Sequence, residues 1–329
     1  MHVQFVDLFA GPGGLDLGAQ LTGTPSLGIE WDANAVATRL AARLATRHGD
    51  VRHYGPSDFP DANALAGGPP CQTFSWTGGG AGRAVLDQLV QAVKEAGAAG
   101  RIAAPAGVDE RTALVLEPLR WILEAAALGR PYEAVVLEQV PAVLPIWEAY
   151  AAVLEGAGYG AVCGVLAAEQ YGLPQTRRRA VLLARYGASV ALPAPTHRPY
   201  RRGVPRAAGD PSLKPWAAMA DALPDRGPFT AISNYGTGGD PKNRGRRDCD
   251  EPAFTVTGKI SRLRLVDPDG RELPRLTAAE AGVLQGFPAD YPWTGRDIPQ
   301  QIGNACPPTL ARALVAAVAG DLQPSTAAV

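Results

Sequence analysis

The first half of the chain alternates short apolar runs with stretches of helical period. His2–Phe9 is apolar and runs into a glycine cluster, and Ser26–Trp31 is a second such run. Ala33–Thr46 then sets Val36, Leu40 and Leu44 on one helical face, and Ala62–Ala66 is a third apolar run closed by glycines. Arg111–Leu128 and Ile146–Glu155 predict helices, while Ala134–Val140, Ala161–Leu166 and Ala180–Tyr186 predict strands. Strands alternating with helices predict an open α/β sheet, mostly parallel and covered on both faces. Ligands of such sheets bind beyond the carboxyl ends of the strands, where the glycine clusters fall. After Tyr186 the pattern breaks: residues 187–275 are rich in Pro, Gly and Arg without a sustained period. Helical signals return at Thr277, which has capping-box spacing to Glu280, and Thr309–Val318 predicts an amphipathic helix. A core domain interrupted by a smaller one is the expected organisation.

Composition changes this picture in one respect. The 329 residues fit about two domains, and 46% hydrophobic against 19% charged residues supports a sizeable core. Thirty-one basic and thirty-two acidic side chains give a net charge of −1, which taken alone argues against a heavily basic nucleic-acid binder. The charge is unevenly spread, however. Residues 185–275 carry sixteen Lys+Arg and ten Asp+Glu, a net of +6, and the rest of the chain carries −7. The four cysteines (71, 163, 249 and 306) share no C-x-x-C spacing, so neither a zinc site nor a disulfide scaffold is expected. No secretion signal and no membrane span are read, and a reduced intracellular setting is expected.

Five motifs carry chemistry. FVDLFAGPGGLDLG (5–18) feeds a strand through a glycine turn into a helix; this suits a ligand at the helix amides, a dinucleotide site or a plain turn. Glu30, at the end of the next strand, suits ribose hydroxyls, and Trp31 suits either stacking on a base or the core. In GGPPCQTFS (67–75) two prolines stiffen the chain before Cys71, a thiol at a ligand position or a small buried hydrophobe. Glu138 closes a buried strand, as a proton donor or a surface acid. In QYGLPQTRRRAVLLA (170–184), Arg177 and Arg179 alternate and so share one strand face, with Arg178 on the other; the alternative is a solvated basic run.

In this order and spacing, together with RLTAAEAGVLQGFP (275–288) and QIGNACPPTLARAL (301–314), the motifs resemble the C5-cytosine DNA methyltransferases. The resemblance implies a Rossmann-like sheet that binds S-adenosyl-L-methionine, released as S-adenosyl-L-homocysteine, without a metal. Residues 1–186 and 275–329 would form the catalytic domain, and 187–274 a small, irregular target-recognition domain. The cofactor would be held by Phe9, Ala10, Gly11, Gly13, Gly14, Glu30, Trp31, Asp58, Pro70 and Asn304. Cys71 would add to C6 of a flipped-out cytosine, Glu138 would serve N3, and Arg179 would contact O2 with support from Arg177. Double-stranded DNA would be contacted by Gln72, Ser75, Gln175, Arg244, Arg246, Arg247 and Thr255, and Lys242 is part of the same basic block. A cytoplasmic monomer, prokaryotic or phage-encoded, is expected, with a separately acting restriction endonuclease as a candidate partner. A tRNA cytosine-5 methyltransferase and a non-catalytic DNA-binding homologue are the alternatives.

The chain departs from the family in three places. Gln139 stands where Asn is usual, and is expected to hold the Pro-Cys loop in its place. Residues 78–108 are an insertion whose Ala84–Ala96 helix is expected to act as a mobile lid over DNA. Ala305-Cys306 replaces a common Ser-Val, with Cys306 expected to pack.

Overall fold

The computed structural model describes residues 3–70, 80–233 and 244–320, with only the backbone of 80–82. Cys71, Gln72, Ser75 and Lys242 lie outside the described residues. In chain order the core elements are β1 (Phe5–Leu8), α1 (Gly14–Gln20), β2 (Ser26–Glu30), α2 (Ala33–Ala41), β3 (Thr46–His48), β4 (Ala64–Gly67), α3 (Gly80–Ala99), α4 (Glu110–Ala113), α5 (Glu117–Ala127), β5 (Ala134–Gln139), α6 (Leu144–Gly156), β6 (Tyr159–Ala167) and β7 (Arg178–Tyr186). They build a seven-stranded sheet in the order β3-β2-β1-β4-β5-β7-β6. The first five strands are parallel, β7 runs antiparallel to β5, and β6 pairs antiparallel with β7 at the edge. This is the expected α/β architecture.

Period-2 alternation sorts the strand residues between two apolar layers. Val6, Leu8, Leu65, Val135 and Leu137 face α3, α5 and α6. Phe5, Ala64, Ala66, Val136 and Leu183 face α1 and the C-terminal helix. The predicted helix 33–46 stops at Ala41 instead. Arg43 adopts a left-handed turn (φ +58°) that reverses the chain, and Thr46–His48 then pairs with β2. The predicted lid is also corrected. Leu89, Val93 and Ala96 of α3 are buried in the main core, and a Cβ on Gly97 would lie 3.0 Å from Val153 on α6. Apolar burial of that kind holds the helix in place.

The remaining elements are α7 (Met219–Ala222), β8 (Thr230–Ile232), β9 (Arg246–Asp248), β10 (Arg264–Val266), β11 (Glu272–Leu273), α8 (Ala278–Leu284), α9 (Ile298–Asn304) and α10 (Pro308–Ala319). A four-stranded antiparallel sheet, β11-β10-β8-β9, sits on an apolar cluster that contains Phe229, Ala231 and Leu265 together with Ala281, Leu284 and Ile302 of α8 and α9. The predicted capping box opens α8: the Thr277 amide donates to Glu280 Oε2 at 2.8 Å, and the Glu280 amide returns to Thr277 Oγ1 at 3.2 Å. Helix α10 packs against α1 so closely that a Cβ on Gly18 would lie 2.4 Å from Ala311 Cβ. Among the described residues no helix is long and apolar enough to cross a membrane.

Candidate active site

Strand order reverses between β1 and β4, since the chain leaves β1 toward β2 and β3 and returns on its other side. A crevice forms at the carboxyl edge of a sheet where that happens. Here it is a cleft of about 740 Å³, lined among others by Phe9, Ala10, Gly11, Glu30, Trp31, Pro70, Glu138, Arg179 and Asn304. Eight elements or their connections thus bring together residues that the sequence spreads over three hundred positions.

At one end the chain turns sharply after β1. Phe9 takes a left-handed conformation (φ +61°), unusual for a residue with a side chain, and Gly11 follows at φ +55° with open space where a Cβ would be. The Gly11 amide donates to Glu30 Oε2 and the Asp32 amide to Glu30 Oε1, both at 2.7 Å. Glu30 is therefore fixed in orientation, and burial pushes its carboxyl up, partly offset by these two donors. Each of its oxygens keeps a lone pair for a further donor. Trp31 is 70% exposed, which excludes a core role. Gly13 and Gly14 do not line the cleft. A Cβ on Gly14 would sit 1.9 Å from the Cys306 carbonyl oxygen and one on Gly13 2.1 Å from Leu44, so both serve close packing. Cys306 is buried, as expected, and burial raises its thiol.

Asp58 is also placed elsewhere, in a separate depression with Arg47 and Phe59, where its carboxylate accepts from the Gly55 amide at 2.8 Å. Asp50 and Val51, just past β3, line the cleft instead. The strand that positions Asp50 was hidden by the helix read across it. Arg52 and Glu110 form an ion pair at 3.0 Å on the cleft wall, another contact that the sequence reading missed.

At the other end, Glu138 is buried at the close of β5, and its Oε1 lies 2.7 Å from Arg179 Nε. Arg179 is further held by the Arg178 carbonyl. Gln139 donates to the Pro69 carbonyl and accepts from the Val140 amide, which ties β5 to the diproline turn that precedes Cys71. Arg177 lies close enough to Arg179 and Glu138 to feel both charges, but it does not itself line the cleft. Strand β7 begins at Arg178, and the Arg177 carbonyl continues the pairing by accepting from the Ala168 amide. Its buried guanidinium donates to the carbonyls of Val256 (2.9 Å), Gly303 (3.0 Å) and Ala305 (3.2 Å); burial lowers it to about 9, still protonated at neutral pH.

The expected DNA contacts divide. Gln175 is fully buried and bonds Leu284, Gln285 and the Val256 amide. Thr255 donates to the Thr176 carbonyl at 2.6 Å. Arg247 is sandwiched between Tyr200 and Phe254, 4.8 and 4.7 Å from their ring centres, and donates to Pro252. These three hold the fold together, whereas Arg246 is exposed and Arg244 half-buried. Among the described residues no three His, Cys, Asp or Glu side chains gather as a metal site.

The same architecture occurs in solved structures. The Dnmt2 methyltransferase of S. pombe superposes with a TM-score of 0.62 at 16% identity, over 98% of this chain and 100% of the other. A DNA modification methyltransferase encoded within an E. coli prophage, described as putative, gives 0.62 at 19% over 97% and 99%. In sequence, the family described as C-5 cytosine-specific DNA methylase matches residues 3–88. The type II methyltransferase M.AplI of Arthrospira platensis is 30% identical over 97% of this chain and 86% of its own length. M1.HphI of Haemophilus parahaemolyticus is 28% identical over 97% and 87%. The chain belongs to the C5-cytosine-specific DNA methyltransferase family and is a DNA cytosine-5-methyltransferase.

Proposed function

We propose that the protein methylates C5 of a flipped-out cytosine in a specific double-stranded DNA sequence, through a covalent bond between Cys71 and C6, as a modification enzyme of the type II kind. The continuity of the cleft carries this reading. One space joins the Gly11–Glu30 clamp to the Glu138–Arg179 pair, and the Pro69–Pro70 turn that lines it leads directly to Cys71. When bound, S-adenosylmethionine supplies an electrophilic methyl group on a sulfonium. Glu30 holds the ribose hydroxyls, Trp31 packs on the adenine, and Asp50 takes the place expected of Asp58.

C5 of cytosine is too weak a nucleophile to attack that methyl unaided. Addition of the Cys71 thiolate to C6 makes the ring an enamine, with Glu138 holding a proton at N3 and Arg179 contacting O2 as charge develops. After transfer, the C5 proton leaves and the Cys71–C6 bond breaks. The base must leave the duplex to reach this site, at a cost of a few kcal/mol. Residues 187–274, with their net positive charge, bind phosphates and read bases.

The test is methylation of mixed duplex DNA with S-adenosylmethionine, mapped at base resolution, beside tRNA and a Cys71→Ser control. 5-Methylcytosine at one recurring DNA sequence, absent from the control, is the expected outcome. Methylation of tRNA alone points to the RNA enzyme, and a product from Cys71→Ser removes the covalent step.

A further inference from the structure

One buried hydroxyl has no part in the chemistry above. Tyr291 lies on the connection between α8 and α9, 7% exposed, and its ring packs on those of Phe287 and Trp293, with ring centres 4.8 Å apart in each case. Burial pushes its hydroxyl well up, so it stays protonated and donates. A tyrosine kept only for its ring would gain nothing from that hydroxyl, since burying one costs free energy unless it is bonded. Its acceptor is the carbonyl of Pro12, 279 positions away in the chain.

Pro12 belongs to the glycine turn and lines the cleft. The turn sets three left-handed residues within five, Phe9, Gly11 and Gly13, at φ +61°, +55° and +104°. Backbone of this kind keeps its shape only where the surroundings over-determine it. The Ala10 amide, donating to the Ile29 carbonyl at 3.0 Å, and the Gly11 amide, donating to Glu30, tie the turn to β2. Tyr291 ties it to the α8–α9 connection instead. The Pro12–Gly13 peptide is thereby held at both ends, since the Gly13 amide donates to the Ala10 carbonyl at 3.1 Å. Arg39 reaches the Ala10 carbonyl only at 3.4 Å and is committed to Asp16 at 2.6 Å. The phenol is seated closely: a Cβ on Gly13 would lie 3.2 Å from its oxygen. The Gly11 amide, one residue before Pro12, is one of the two donors that orient Glu30, so a turn free to shift at Pro12 would carry that donor with it.

We propose that Tyr291 is a positioning residue for the methyl donor: its hydroxyl anchors the glycine turn, and the anchored turn holds Glu30 in the orientation that takes the ribose hydroxyls. The inference rests on the cofactor reading above. The contribution of one hydrogen bond corresponds to about fivefold in affinity.

The test is equilibrium binding of S-adenosylhomocysteine and its 2′-deoxy analogue to the wild-type protein and to Tyr291→Phe, by calorimetry, beside steady-state kinetics. The variant keeps the ring and loses only the hydroxyl. It should bind S-adenosylhomocysteine about fivefold more weakly and the 2′-deoxy analogue nearly as the wild type does, so that the preference for the ribose shrinks. The KM for S-adenosylmethionine should rise by a similar factor while kcat at saturation stays within about twofold. Unchanged affinities, or an equal loss for both compounds, overturn the proposal. Phe287→Leu loosens the same aromatic cluster and leaves the hydroxyl in place. It should lower the melting temperature and keep the ribose preference; a preference lost as fully as in Tyr291→Phe assigns the effect to packing and overturns the proposal. If Tyr291→Phe does not fold, Tyr291→p-aminophenylalanine, which retains a donor at the same place, decides: wild-type ribose preference supports the anchor, and its loss in a folded protein overturns it. If the wild-type protein binds both compounds equally, or neither, the cofactor reading falls, and this proposal with it.

Discussion

The carboxyl edge of the large sheet and the basic segment that follows β7 handle their polar side chains in opposite ways. At the sheet edge, Glu30 and Glu138 stand where their strands end, and both face a common space. In the basic segment most arginines are used inside the protein. Arg198 binds the carbonyls of Ala207 and Asp210, Arg206 pairs with Asp221, Arg226 with Glu280 and Arg264 with Glu272, and Arg247 lies between two rings. Arg201, Arg202, Arg246 and Arg262 remain exposed. A strand end aims a side chain by its own geometry. A segment with little regular structure must satisfy its backbone carbonyls with side-chain donors, and arginine is the donor it uses. Net charge therefore overstates how many of the segment's arginines are free for a ligand.

The contrast is broken most forcefully at Arg177, which joins the two regions. Arg177→Ala leaves three buried carbonyls without donors and a cavity beside them. It should cost about 3–5 kcal/mol, read by denaturant unfolding. A loss below about 1 kcal/mol would mean that the two regions hold together without it.

Adjacent arginines sharpen the contrast at smaller cost. Arg246→Glu should weaken DNA binding and make it less salt-dependent, with a slope lower by about one to two, while thermal stability is unchanged. Arg247→Glu should lower the melting temperature as well, because its ring sandwich and carbonyl bonds are lost. Equal melting temperatures for the two variants would remove the distinction between scaffold and contact arginines.

The smallest effect is at Glu280, whose carboxyl is held down to about 2 by Arg226 Nε and Nη2 and by Thr277. A depressed acid stabilises the fold fully above its ordinary range near 4.5 and ceases to do so as pH falls toward 2. Glu280→Gln should cost under about 1 kcal/mol at neutral pH, and the gap to wild type should close over that acid window. A gap that persists at pH 2 would assign the effect to helix capping alone.

These contrasts also show what the sequence could reveal. Glu30, Trp31, Glu138 and the glycine turn were legible because each follows an apolar run with a clear end. Asp50 was not, because Leu44 continues a helical period through a segment where Arg43 reverses the chain. The buried partners of Arg177 and Gln175 were not legible, because the apolar run Ala180–Leu183 marks a strand without marking what packs on the segment before it.

The contact between Gly14 and the Cys306 carbonyl has a consequence for how the protein comes into being. The backbone that closes over the glycine turn after β1 is made about three hundred residues after it. Helix α10, which seals α1 through Gly18 and Ala311, comes later still. A chain on the ribosome can form strands β1 to β5 in order, but the cleft has no closing wall until α9 and Cys306 have emerged. A product cut short before α9 would lose the wall that Gln300, Gln301, Gly303 and Asn304 contribute while keeping Glu30, Glu138 and Arg179.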